Sequence, residues 1–89
     1  MGYCTFPLGQ QNRGTVAEVT MSGVESDVYL VDSANLSAFE RGTRFRYYGG
    51  HYRNSPALLT VPSSGLWTVV VAPSPGGTVR ASVRVLASV

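Results

Sequence analysis

The sequence predicts an all-β protein: an antiparallel two-sheet sandwich of about six to eight short strands. Three observations lead there. Residues 78–86 alternate strictly, with Val79, Ala81, Val83 and Val85 on one face and Arg80, Ser82 and Arg84 on the other. A period of two packs one face on a core and turns the other to water. No segment carries a helical period over 11 or more residues, and Gly, Pro, Asn and Ser clusters break the chain into short runs.

The elements follow in order. Tyr3 to Leu8 reads as a first strand, with Pro7 suited to an edge or a strand end. Gly9 to Gly14 is a polar turn. Thr15 to Ser22 alternates, Ala17, Val19 and Met21 opposing Val16, Glu18 and Thr20, until Gly23 breaks it. Asp27 to Asp32 is a compact apolar strand. Residues 33–41 hold at most one short helical turn, capped by Ser33, containing Leu36 and Phe39, and ended by Gly42. Asp32, ahead of Ser33 and Asn35, suits turn chemistry, its oxygen accepting backbone N–H bonds. Thr43 to Tyr48 is strand-like, and Gly49-Gly50 bends the chain sharply. Ala57 to Val61 is a further strand, and Pro62 to Gly65 a turn. Leu66 to Ala72 is β-branched and buried on both sides, with Trp67 a core anchor beside Val69 and Val71. Pro73 to Gly77 is a loop.

With 89 residues the chain has room for one core, hence a single domain over 1–89. Its apolar runs of about five residues fall far short of the ~20 that span a bilayer, and no basic region precedes an apolar run as in a signal peptide. The lone Cys4 cannot form an internal disulfide, which favours a cytoplasmic setting, and it reads as a small core residue of the first strand. The net charge of +2 comes from seven arginines and no lysine, too small an excess to imply nucleic acid.

The densest chemistry lies in residues 41–53. Four of the seven arginines, the only histidine and four of the nine aromatics fall there without an intervening acid. Guanidinium forks beside flat phenol rings suit an anionic or aromatic small ligand, or a protein partner. The candidate site residues are Arg44, Arg46, Tyr48, His51, Tyr52 and Arg53. The same pattern also fits plain strand alternation, with Phe45 and Tyr47 in the core and Arg41 paired to Asp32 or Glu40.

Catalysis is not expected. Five carboxylates show no paired spacing, and Asp27 and Asp32 fall on opposite faces of one strand. One His and one Cys cannot build a transition-metal site without carboxylates or a second subunit. Neither a nucleophile elbow nor a phosphate loop is present. No cofactor and no metal are expected.

Arg46-Tyr47-Tyr48-Gly49-Gly50, Ser55-Pro56, Val61-Pro62-Ser63-Ser64-Gly65-Leu66-Trp67 and Val79-Arg80-Ala81-Ser82-Val83 resemble a bacterial family known as domain of unknown function 1883. Thr15 to Thr20 and Val31 to Asn35 fit it too, so the likeness covers nearly the whole chain. The resemblance implies a jelly-roll sandwich similar to the CUB-like fold, and a bacterial origin. Family members occur beside TIR signalling domains, which implies a sensing or adaptor role. No catalytic residue carries over. The loop Pro73-Ser74-Pro75-Gly76-Gly77 departs from the family's more acidic version. Two functions stay open: a binding or sensing module using the Arg/Tyr-rich segment, and a structural domain that associates through a strand edge or apolar patch. Nucleic-acid binding is a weaker third.

Overall fold

The computed structural model describes residues 2–86. Among these, seven strands and one helix run in the order β1 (Cys4–Gln11), β2 (Val16–Gly23), β3 (Ser26–Asp32), α1 (Ser33–Glu40), β4 (Tyr48–Tyr52), β5 (Ala57–Thr60), β6 (Gly65–Pro73) and β7 (Val79–Leu86). They form a four-stranded sheet ordered β1-β6-β3-β4 and a three-stranded sheet ordered β5-β2-β7, every pairing antiparallel. The expected all-β sandwich is present.

Apart from β3 and β4, consecutive strands change sheet. With β6 lying between β1 and β3, and β2 between β5 and β7, this is jelly-roll connectivity. An eight-stranded jelly roll places four strands in each sheet. Here one sheet has three, and β7 forms one of its edges.

The inner faces meet in a core of Ala17 and Val19 from β2, Val28 and Leu30 from β3, Ala57 and Leu59 from β5, Val61, and Trp67, Val69 and Val71 from β6. Every second residue of each strand supplies this layer, as the pleat requires. Strand β6 is buried on both faces, as its unbroken β-branched run predicts: α1 packs against β3 and β6, and Val31, Thr68 and Val70 on the outer face are buried.

The helix begins one residue earlier than expected. Asp32 stays extended (φ −80°, ψ 177°) and its Oδ1 accepts from the Asn35 amide at 2.9 Å, so Asp32 rather than Ser33 is the cap. The end is as predicted. Gly42 takes φ +74°, its amide donates to the Phe39 carbonyl, and Thr43 donates to Ala38, the paired closure of a Schellman motif.

Three expectations are corrected. Residues 43–47 are not strand; they form an irregular connection, and the strand starts at Tyr48 and runs straight through Gly49-Gly50. Phe45 and Tyr47 lie outside the sandwich core. Cys4 is exposed because β1 is an edge strand and, among the described residues, no strand of the opposite sheet lies beyond β7 to cover its end.

Candidate functional site

Alternation along β3 places Asp27, Tyr29 and Val31 on the outer face of the larger sheet, opposite Val28 and Leu30. The outer face gathers an aromatic cluster. Tyr29 packs against Tyr47 at a centroid distance of 4.5 Å, against Phe45 at 5.4 Å and against Phe39 of α1 at 6.2 Å. Tyr3 caps Phe39 edge-on at 4.9 Å. The connection 41–47 is therefore anchored by its aromatics. Its backbone is also pinned, since the Arg46 amide donates to Asn35 Oδ1 at 2.7 Å while Asn35 Nδ2 donates to Asp32. Arg44 and Arg46 flank Phe45 in the chain and are exposed. Among the described residues neither guanidinium makes an ion pair, and the expected pairing of Arg41 with Asp32 or Glu40 is absent.

His51 lies on the same outer face, brought opposite Asp27 by the β3–β4 register. Its Nδ1 is 2.8 Å from Asp27 Oδ1 and its Nε2 is 2.8 Å from Glu25 Oε1. Two acceptors are satisfied together only when both ring nitrogens carry protons. Arg53 adds a second cation 3.5 Å from Glu25 Oε2, and the Tyr29 hydroxyl donates to Asp27 Oδ2 at 3.1 Å. A continuous polar chain results, Tyr29–Asp27–His51–Glu25–Arg53.

The hydrogen bond to Glu25, then that to Asp27, raises the His51 pKa above its ordinary 6.5. The hydrogen bond from His51, aided by the charge of Arg53, lowers the Glu25 carboxyl below 4.5. Burial, then the charge and hydrogen bond of Asp27, pushes the Tyr29 phenol up to about 12. The stability His51 contributes is complete below about pH 6.5 and is lost as pH rises through its raised folded value. The Glu25 contribution is present above its ordinary value and is lost as pH falls through its lowered folded one. The cluster therefore contributes most between those limits. Proton NMR of the His51 ring should give a midpoint above 6.5, and Glu25→Gln should bring it down. A midpoint at or below 6.5 in the unaltered protein contradicts the geometry.

Tyr48 and Tyr52 leave β4 on the other side, toward the core. Tyr48 meets Trp67 edge-on at 6.1 Å and stays 52% exposed, whereas Tyr52 is half-buried against the core. The six candidate residues thus fall into three groups: Arg44 and Arg46 on the 41–47 connection, His51 and Arg53 engaged with carboxylates, and Tyr48 with Tyr52 on the opposite face of β4. Tyr29, Tyr47, Glu25 and Asp27 belong to this outer face although none of them is among the six candidates. Alternation of Asp27, Tyr29 and Val31 against Val28 and Leu30 was the available signal for Tyr29.

Cys4 and His51 cannot act together. Cys4 is on the inner side of β1 and His51 on the outer side of β4, with β6 and β3 between them, about 14 Å at the usual strand spacing. Among the described residues no three His, Cys, Asp or Glu side chains are arranged to hold a metal ion, and no helix is long and apolar enough to cross a membrane.

Fold and surface together define a small antiparallel jelly-roll domain with an aromatic, arginine-flanked outer face. The chain belongs to the family described as a domain of unknown function, DUF1883, whose model matches residues 1–89, its entire length. No curated protein matches the chain, and no solved structure matches it.

Proposed function

We propose that this domain is a non-catalytic binding or sensing module, working in the cytoplasm, whose contact surface is the 41–47 connection on the outer face of the larger sheet. The observation that carries this reading is the combination of Tyr47, 46% exposed over Tyr29, with exposed Arg44 and Arg46 that have no ion-pair partner among the described residues. A supported ring gives a ligand a flat apolar face, and free guanidinium groups give it charge-assisted hydrogen bonds. The chemistry favours a small ligand with an aromatic ring and an anionic group. His51 and Arg53 tie β4 to Glu25 and Asp27 beside this surface and are already occupied by those carboxylates. A base role for His51 is disfavoured for the same reason, and Cys4 is too far away to serve as its nucleophile.

NMR titration with a panel of nucleoside monophosphates and sugar phosphates tests the proposal. Shifts should concentrate at residues 43–47 and Tyr29. The double variant Arg44→Ala/Arg46→Ala should weaken any binding about tenfold or more without lowering thermal stability, since charged hydrogen bonds are worth roughly 1.5–3 kcal/mol each. Binding that the double variant leaves unchanged, or a panel that moves no resonance of this segment, overturns it.

A further inference from the structure

The four sheet edges are not equivalent. Edge β1 is interrupted by Pro7 and by a register shift between Pro7 and Gly9. Edge β4 has five residues, two of them glycine, and edge β5 has four, enclosed by Pro56 and Pro62. Such short, kinked or proline-bounded strands are the usual protection against unwanted pairing. Edge β7 has none of it. It runs for eight residues, Val79–Leu86, without Pro, Gly or a register shift, and among the described residues it pairs on one side only, with β2.

The core is also incomplete at this edge. Among the described residues, jelly-roll connectivity leaves the place beside β7, facing β1, without a strand. The inward side chains on both sides of that place are poorly covered: Cys4 of β1 is exposed, Phe6 and Leu8 are half-buried, and Val85 of β7 is 41% exposed. Inward residues farther along the same layers, such as Val19, Val28 and Val69, are fully buried. A cleft of about 180 Å³ lined by Tyr3, Cys4, Pro73, Thr78 and Val79 opens at one end of this trough.

We propose that the β7 edge is a docking site for an extended strand from a protein partner, added antiparallel to β7 as the eighth strand of the jelly roll, with apolar side chains facing inward and acidic side chains facing outward. Strand addition at an open edge takes its affinity from main-chain hydrogen bonds and its specificity from alternate side chains. The inward positions would cover Cys4, Phe6 and Val85. The outward positions would lie beside Arg80, which has no ion-pair partner among the described residues, and Arg84, which is held by Glu18 alone at 2.8 Å. A second copy of this chain fits poorly. Pairing β7 with itself about Ser82 would set Arg80 of each copy opposite Arg84 of the other, and like charges directly opposite are unfavourable.

The test uses the full chain and two synthetic nonapeptides, one alternating valine with glutamate and one alternating valine with lysine. The glutamate peptide should slow amide exchange along β7, shield Cys4 from maleimide, and bind at least fivefold more tightly than the lysine peptide. Arg80→Glu, at an exposed position, should reverse that preference while preserving the fold. The proposal is overturned if neither peptide alters β7 amides, if the lysine peptide binds equally well, or if sedimentation shows the chain alone dimerising through β7.

Discussion

Trp67→Ala should lower the unfolding free energy by about 3–5 kcal/mol, the range for truncating a buried aromatic side chain. The indole stands on the central strand β6, is 5% exposed, and touches the core that both sheets share. Its Nε1 donates to the Ser63 carbonyl at 2.9 Å, which ties the Pro62–Gly65 turn to the strand it introduces. A small domain has only about 5–15 kcal/mol in total, so the variant should be partly unfolded at room temperature or melt far below the parent. Trp67→Phe keeps most of the ring and loses the hydrogen bond, whose acceptor sits in an exposed turn where water can replace the donor. It should cost roughly 1–2 kcal/mol. Urea unfolding followed by circular dichroism separates the two. Equal costs would mean that the hydrogen bond, not the packing, carries the effect.

The second large effect is expected at Gly49. Its φ of +126° lies where side chains are strained, and a Cβ there would overlap the Val28 carbonyl oxygen across the β3–β4 ladder. Gly49→Ala should cost about 3 kcal/mol or more, the conformational strain adding to a forced separation of the strands. Gly50, one residue on, has no positive φ and open space around the Cβ position. Gly50→Ala should be neutral or stabilising by up to about 1 kcal/mol. Equal midpoints for the two variants in urea would refute the assigned β4 backbone.

The contrast within this glycine pair shows where sequence reasoning stops. Gly49-Gly50 reads as a sharp bend, yet both residues pair with β3. The same limit applies to Arg44-Phe45-Arg46-Tyr47, where alternation mimics a strand. Phe45 and Tyr47 are instead held by Tyr29 of β3, and Phe45 also by Phe39 of α1, contacts between residues that only the tertiary fold brings together. Alternation did expose β2 and β7, and the unbroken apolar run exposed β6, because core packing imposes those patterns directly. Cys4 resisted the same logic, since its inward direction is legible but the missing neighbour is not. The partners of His51 were hidden for a related reason. Glu25 and Asp27 stand 26 and 24 residues away, and only the β3–β4 register makes them neighbours.

The most direct test of the account is residue-resolved amide hydrogen exchange on the isolated protein. The slowest amides should lie in β3 and β6, at Val28 to Val31 and Trp67 to Val71, which form the middle of the four-stranded sheet. Along β7, amides directed at β2 should be protected and the alternate ones should exchange quickly. Rapid exchange throughout β6, or uniform protection of β7 in the free monomer, would contradict the two-sheet arrangement with its open eighth position.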